Sequence, residues 1–571
     1  MPILLAFFPI LLILILMVGF RWGAVRAGAV GYMAALIIAI AFFGANLQVL
    51  AYAHLKALIL SFDVLFIIWA AYILYRVSDE AGAIATIGQA LRQLTSDKGM
   101  QAILIGWVFA SFLQGTGGFG VPVAITAPLL VGLGFSPLAA VVIPTIGHGW
   151  AVTFGSLGSS FNALISSTGL DAAYLAPTSA LFLGLSAIPT GLMIIHIANR
   201  ETRKVSKNHA NFLDDGDKRD GFMTDAKMKP FGSVLDMKAL HTFPKLGWQA
   251  IIIGVVMGGV QYLVAVNLGM WNIASFAGGL AGLLIGVPLA YWGQASSKRA
   301  CSALTLSPLP EGEGTILSPQ GKVSGRQLLI ALSAYLILIV ITASILLLPS
   351  VNPLKDALGQ LAIEVHFPET ITNSGYITPA GSNKPIYIFK HAGAILLYSA
   401  AAAFVVYKRA GLYGEGVGKK ILSQTAKKMK FSTISIFLMV SMAMIMQQAG
   451  MTETLAQGLA ESVGRAYPFA ASWIGALGAF MTGSNTNSNL LFAGLQMRTA
   501  GLLDYSVPII LAAQTASASV ASVIAPAKLI VGASTAGMEG KEGEVLRTVI
   551  GYAGILVLFI SLFTVLGVIL P

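Results

Sequence analysis

The chain has 571 residues, of which 56% are apolar and only 10% are Asp, Glu, Lys or Arg, against about 25% charged in an ordinary soluble domain. With a mean hydropathy of +0.80, that balance excludes a soluble enzyme and a disordered or fibrous chain, because one globular core cannot use so much apolar surface; what remains is a polytopic membrane protein. The net charge of +11 is no sign of nucleic-acid binding, since the Lys and Arg fall in short connections between apolar runs, where retention on the cytoplasmic side accounts for them.

Residues 3–20 are apolar from almost the first position and lack a basic leader or a small-residue cleavage site, so a retained membrane helix is expected there rather than a removed signal peptide. No Lys or Arg precedes Arg21 and Arg26, which orients the N terminus outward. Further segments long enough for the roughly 20 residues that cross about 30 Å of hydrocarbon lie near 27–45, 57–76, 137–157, 177–198, 248–268, 273–293, 327–349, 390–407, 431–449, 506–526 and 547–569. The expected fold is all-α, a polytopic membrane protein with about twelve transmembrane helices. Two more apolar stretches, 100–133 and 468–500, are interrupted by Gly115-Thr116-Gly117-Gly118-Phe119-Gly120 and by Gly483-Ser484-Asn485-Thr486-Asn487-Ser488-Asn489. Those runs are poor helix interiors, and both stretches read as re-entrant helical hairpins.

The chain therefore divides into N-terminal transmembrane helices (1–56), a first repeat (57–198), a cytoplasmic loop (199–246), central helices (247–407) and a second repeat (408–571). Charge supports this order. Connection 199–246 carries ten Lys or Arg against seven acids and 407–430 seven against one, whereas 350–389 carries two against three and belongs outside. Segment 294–326 is rich in Pro, Gly and Ser, lies inside, and is expected to be a disordered insertion. The single cysteine, Cys301, leaves no material for an internal disulfide or a Cys-based metal site.

An internal repeat carries the most information. Sliding the chain by the difference between positions 483 and 115, which is 368, puts Gly115 on Gly483, Phe112 on Phe480, Ala102 on Ala470, Leu91 on Leu459, Thr86 on Thr454, Gly82 on Gly450, Ala81 on Ala449 and Ile68 on Ile436. The same register superposes a spanning helix (57–76 on 431–449), a short amphipathic helix (79–94 on 450–465) and then an interrupted hairpin. The first spanning helix runs inward and the second outward, so the halves are inverted repeats, an arrangement that places a transport site between two broken helices. Backbone that leaves the helix inside hydrocarbon costs several kcal/mol per unpaired group unless protein, water or a ligand satisfies it. Helix N termini at such breaks present free amides and a partial positive charge, which suits a carboxylate. The expected substrate-binding residues are Gly115, Thr116, Gly117, Gly118, Ser484, Asn485, Thr486, Asn487, Ser488 and Asn489. Gly115, Gly117 and Gly120 also fit the spacing of a dinucleotide fingerprint, but they follow a membrane-length helix rather than a strand, so that reading is set aside.

The runs from Gln114 to Ile125, from Leu130 to Phe135 and from Thr482 to Gln496, with Gly540-Lys541-Glu542, resemble signatures of the lactate permease family. The resemblance extends over most of the chain. It implies a bacterial or archaeal inner-membrane symporter that takes up lactate or glycolate with protons. The Ser484-Asn485-Thr486 run is also similar to the Ser-Asn-Thr signature of sodium-coupled dicarboxylate carriers, whose loops bind sodium and a substrate carboxylate. Relatives usually have Glu at the place of Gln114 and Asp at that of Asn485, and amides cannot titrate. Lys528 stands where relatives are polar and uncharged, and is placed to hold a carboxylate or to replace a bound cation. Asp63, inside an apolar helix, and His148, flanked by glycines, remain as candidate proton carriers beside Gln114. Arg498 reads as the anchor of a hairpin end.

The resulting expectation is a secondary carrier for small monocarboxylates in the cell inner membrane. Its partners are a monocarboxylate, a coupling cation (proton or sodium) and the lipid bilayer, with no nucleic acid, no cofactor and no metal site; homodimerisation is left open. An enzyme would need clustered His, Asp or Glu, and seven His scattered along the chain show no such spacing.

Overall fold

A computed structural model of the chain describes residues 2–16, 20, 22–95, 97–118, 120–214, 246–295, 323–346, 360–383, 385–538 and 541–570. Among the described residues, ten helices are long and apolar enough to cross a membrane, or eleven if a pair bent by 48° is one span. The sequence suggested about twelve; the two other segments are 137–157, which falls in the bent pair, and the first, 3–20, in which 17–19 lie outside the described residues. Its helix α1 (Pro2–Leu14) has 13 residues, about 20 Å at 1.5 Å per residue, short of the hydrocarbon thickness.

The first half continues with α2 (Ala24–Phe43), α3 (Leu47–Glu80) and the short α4 (Ala83–Arg92). Helix α5 follows over 98–116, π-helical across Ala102–Phe109, then α6 (Val121–Val131), α7 (Pro137–Gly147), α8 (Gly155–Thr168) and α9 (Ala172–Asp214). Two connecting helices, α10 (Gly247–Asn267) and α11 (Trp271–Ala295), lead to α12 (Gly325–Leu346). The second half comprises α13 (Ala392–Arg409), α14 (Val417–Gln448), α15 (Met451–Val463), α16 (Tyr467–Thr482), α17 (Asn485–Leu502), α18 (Val507–Val523), α19 (Pro526–Thr535) and α20 (Glu542–Ile569). Adding 368 to the starts of α2 and α4 lands on the starts of α13 and α15, Ala392 and Met451, and adding it to that of α3 lands two residues before the start of α14 at Val417. Gly82 and Gly450, paired in that register, both turn the chain with positive φ, 68° and 81°.

The halves are inverted. Going along α3, Lys56 Nζ donates to Gln448 (3.2 Å), Trp69 Nε1 to Thr433 Oγ1 (3.0 Å), Arg76 to Gln424, and Glu80 pairs with Lys420 (3.1 Å). The partner numbers fall along α14 as they rise along α3, so these two equivalent helices lie antiparallel. The packing around them is reciprocal: α2 lies on α14 and α13 on α3, while α1 touches α15 and α12 touches α4. Helices α10 and α11 have no counterpart, and α11 fills the space beside α5 and α8.

Both interrupted stretches fold back on themselves. In the second, Ser488 Oγ donates to Gly475 O (2.8 Å), and farther from the tip Gln496 Nε2 donates to Ala471 O (2.9 Å) and Tyr467 OH to Gln496 Oε1 (2.6 Å). Each hairpin is followed by a helix broken in two, α7 with α8 and α18 with α19. These breaks correct the sequence boundaries: the spans expected at 137–157 and 506–526 continue through a second helix to Thr168 and Thr535.

Between α12 and α13, three short antiparallel strand pairs nest into one ribbon: β1 (Ala362–Ile363) with β6 (Ile386–Tyr387), β2 (His366–Phe367) with β5 (Gly381–Ser382), and β3 (Thr370–Ile371) with β4 (Ile377–Thr378). Its tip rests on the turn between α2 and α3, where Asn46 Nδ2 donates to Ile371 O (2.8 Å) and Ser374 Oγ to Phe43 O (2.6 Å). This ribbon is the one departure from an all-helical chain among the described residues, and no alternation in so short a stretch announces it. Loop 199–246 begins as a continuation of α9 to Asp214. Its remainder, 215–245, and most of the 294–326 insertion, 296–322, lie outside the described residues.

Candidate functional site

Both hairpin tips and both helix breaks meet around one cavity of about 780 Å³. Helix α5 contributes Gln114, the tip after it Gly118, and α8 the hydroxyls of Ser156, Ser159 and Ser160. The other repeat contributes Thr482 to Asn487 from the second tip and Lys528 from α19. Arg26 of α2 and Ser432 and Ser435 of α14 line the side. No Asp or Glu is among the described lining residues, so the cavity presents two basic side chains, Arg26 and Lys528, and a ring of amides and hydroxyls.

The second tip is built as a helix start. Ser484 is the N-cap of α17, and its hydroxyl accepts from Asn487 N (3.2 Å), as a good cap does. The first amides of α17 are thereby left at the cavity edge, where a helix carries its partial positive charge. Asn485 Nδ2 donates to Thr153 Oγ1 (3.0 Å) and Thr515 O (3.3 Å), and Thr486 and Ser160 share a hydroxyl–hydroxyl bond of 3.0 Å. The side-chain oxygens of Asn485 and Asn487 are buried and accept no hydrogen bond from the described residues. Ser488 and Asn489 lie one layer behind the cavity. Ser488 Oγ accepts from Gln514 (3.0 Å), and Asn489 Nδ2 donates to Ser160 O and Thr515 Oγ1 (2.9 Å each). They hold α17 against α8 and α18 rather than facing the space.

Among the described residues of the first tip, Gln114 and Gly118 reach the cavity. Gly115 packs against α11, Thr116 Oγ1 donates to Leu113 O (3.3 Å), and Gly117 lies against the Tyr75 ring. A Cβ on Gly118 would stand 2.2 Å from Ser156 Oγ, so a side chain at this position would have to displace that hydroxyl. Ser156, Leu157 and Gly158 all have positive φ, at 46°, 55° and 76°. Two consecutive non-glycine residues there store backbone strain, a feature that gathers at functional sites.

Lys528 is half-buried in the first turn of α19, and its Nζ lies 3.4 Å from Ser522 Oγ, to which it donates. His148 is brought near but not into the cavity: it is buried in the break after α7, and its Nδ1 donates to Pro144 O (2.6 Å). Asp63 is elsewhere. Its carboxylate accepts from Ser166 Oγ (2.7 Å) and pairs with His391 Nε2 (2.9 Å) in a second cavity of about 490 Å³, which the ribbon, Lys56 and Lys390 also line. Helix α8 separates the two spaces, with Ser156, Ser159 and Ser160 facing one and Asn162 and Ser166 the other. Arg498 forms an ion pair with Glu453 of α15, away from both.

Sequence reasoning missed Thr153, the α8 serines and His391. The run Gly155-Ser156-Leu157-Gly158-Ser159-Ser160 carried a signal, since it has the small and polar composition of the two tips. His391 carried none, because its partner Asp63 is 328 positions away.

A family model described as L-lactate permease matches residues 2–213 and 230–570. The chain is 26% identical to the glycolate permease GlcA of Escherichia coli K12 over 99% of this chain and 95% of that one. It is 27% identical to the L-lactate permease of Bacillus subtilis 168 over 88% and 84%. Among solved structures, the YdaH transporter of Alcanivorax borkumensis aligns with a TM-score of 0.44 at 15% identity, covering 88% of this chain and 85% of that one. With a family match running through nearly all its helices, and with bundle, paired tips and broken helices in place, the chain belongs to the L-lactate permease family, a multi-pass permease of the membrane and not an enzyme.

Proposed function

We propose that the chain imports small 2-hydroxymonocarboxylates, lactate and glycolate, across the cytoplasmic membrane, with protons as the coupling ion. One observation carries the reading: both tips and both breaks line a single cavity that contains Lys528 and Arg26 and no described carboxylate. An anion there meets the ammonium, the first amides of α17 and the hydroxyls of Ser156, Ser159 and Ser160. The cavity is large beside a three-carbon acid, which leaves room for water and for closure around the substrate. The site residues in this reading are Gln114, Gly118, Ser484, Asn485, Thr486, Asn487 and Lys528. Gly115, Thr116, Gly117, Ser488 and Asn489 support the shape of the tips. The re-entrant character of the hairpins and the cytoplasmic position of 199–246 and 407–430 belong to the same reading.

The names of relatives support the substrate class: GlcA is a glycolate permease and the Bacillus subtilis protein an L-lactate permease. Sodium is the second reading, favoured by the unpaired side-chain oxygens of Asn485 and Asn487, because a hard cation takes oxygen ligands. The deciding measurement is uptake of labelled lactate and glycolate by proteoliposomes under an imposed proton gradient without sodium, and under a sodium gradient at constant pH. Proton-driven accumulation is expected. Accumulation only with sodium would replace the coupling ion, and no uptake of either acid under both gradients would overturn the carrier reading.

A further inference from the structure

We infer that Lys528 carries the coupled proton itself. The inference rests on the reading of the cavity as a carboxylate site and goes beyond it by naming the group that binds the proton. In this cycle the empty carrier returns with its amine deprotonated. A proton and a carboxylate enter from one side, the proton onto Nζ and the carboxylate against it, to give a neutral ammonium–carboxylate pair. After reorientation both leave on the other side, and the neutral amine returns. Each cycle moves one proton and one carboxylate and no net charge.

The surroundings of Lys528 single it out. The groups facing the cavity come from the segment before α2, α2, α3, α5, the first tip, the break between α7 and α8, α8, α14, the second tip and α19, and the charged ones among those described are Arg26 and Lys528. Arg26 is exposed at the rim, and a guanidinium keeps its charge in proteins. Gln114 and Asn485, where relatives usually carry acids, cannot titrate. His148, another titratable group close to Lys528, is buried behind the wall, where its Nδ1 donates to Pro144 O at 2.6 Å. Asp63 is in the other cavity, held by Ser166 and His391. The described structure gives Lys528 no acidic partner, only the Ser522 hydroxyl at 3.4 Å.

The position of Lys528 in its helix matters as much. It is the third residue of α19 (Pro526–Thr535), within the turn where the helix already carries its partial positive charge. An ammonium there, facing Arg26 across the same space, is costly until an anion arrives, and an arriving carboxylate offsets that cost. Proton and substrate therefore bind as a pair, which is what symport requires: neither partial load is favoured.

The repeat register isolates this cation. Subtracting 368 puts Lys528 on Ser160 and Thr486 on Gly118. Ser160 meets Thr486 through a 3.0 Å hydroxyl–hydroxyl bond, so each broken helix serves the tip of the opposite repeat. One of these equivalent places holds a hydroxyl and the other an ammonium, and only the second can exchange a proton.

Two assays on proteoliposomes test this. One is lactate accumulation under a proton gradient; the other is exchange of internal unlabelled for external labelled lactate with no gradient. Exchange uses only the loaded carrier, whereas accumulation also needs the empty one to return. With Lys528→Arg the charge is permanent, so exchange should persist while proton-driven accumulation falls at least about tenfold. Lys528→Gln, with neither charge nor proton, should lose both. A measurement on the unaltered protein stands beside these: lactate binding followed by calorimetry in two mildly alkaline buffers of different ionisation enthalpy should take up about one proton per lactate. Wild-type accumulation by Lys528→Arg, or lactate binding to the unaltered protein without proton uptake, overturns the inference. If the unaltered protein neither exchanges nor accumulates lactate or glycolate, the carrier reading fails instead.

Discussion

The two hairpin tips occupy equivalent places in the inverted repeats, yet they are made of different material. The first, between α5 and α6, is rich in glycine and, among the described residues, contributes Gly118 and, from the helix before it, Gln114. The second, between α16 and α17, offers six consecutive residues from Thr482 to Asn487. The charges are reversed in compensation: the broken helix placed against the glycine tip carries Lys528, and the one against the amide tip carries Ser160. A symmetric scaffold has thus become an asymmetric site, one half supplying charge and the other supplying directed hydrogen bonds. Even identical residues at the paired positions do different work. Gly115 is helical, and a Cβ on it would stand 2.5 Å from Phe276 Cα. Gly483 has φ of 69°, and the nearest atom to its would-be Cβ is 3.7 Å away.

That contrast gives the largest expected effect. Overpacking costs roughly 1–3 kcal/mol when side chains can yield, but here the obstacle is α11 backbone. Gly115→Val should therefore lose the folded protein, seen as absence of a monodisperse peak in detergent, while Gly483→Ala should fold with a penalty of about 1–2 kcal/mol for its left-handed backbone. Equal thermal shifts in the two variants would mean that the tips pack alike and that the comparison is wrong.

A smaller effect is expected at the amide tip. Asn487 lines the cavity, and its side-chain oxygen accepts nothing from the described residues. Asn487→Leu removes a polar group from the site without breaking the network behind it. Lactate uptake should fall about tenfold, the order of one lost hydrogen bond to a charged group, with the protein still in the membrane at normal amount. Unchanged uptake would make the second tip a packing turn and leave the charged half as the whole site.

Much of this was legible in the chain. The register through Gly115 and Gly483 depends on local features, glycine turns and apolar length, and α4 and α15 start where it puts them, at Ala83 and Met451. The antiparallel meeting of α3 and α14 follows from an even number of crossings between them, six in the sequence reading, whose sides were assigned by charge counting. Contacts between distant positions were not legible. Asp63 looked like a lone acid in a helix because nothing near it in sequence announces His391 or Ser166. The run from Gly155 to Ser160 shares the small and polar composition of the tips, but nothing in it specifies the positive φ of the non-glycine residues Ser156 and Leu157. The ribbon over 362–387 is held by contacts to α2 and α3, not by strand pattern.

The smallest effect belongs to the far end of the second hairpin. Arg498 of α17 pairs with Glu453 of α15, and its side chain is 53% exposed. An exposed pair contributes below about 1 kcal/mol, because water screens the attraction and ordering two long side chains costs entropy. The pair is also not part of the network that fixes the tip: Ser488, Asn489 and Gln514 hold α17 near the cavity, and Tyr467 and Gln496 hold its middle. Arg498→Gln should therefore leave lactate uptake within about twofold of the unaltered protein and change thermal stability only slightly, with raised salt narrowing even that difference. Loss of uptake in this variant would mean that the hairpin is positioned from its outer end, and the division between a charged half and a hydrogen-bonding half would have to include α15.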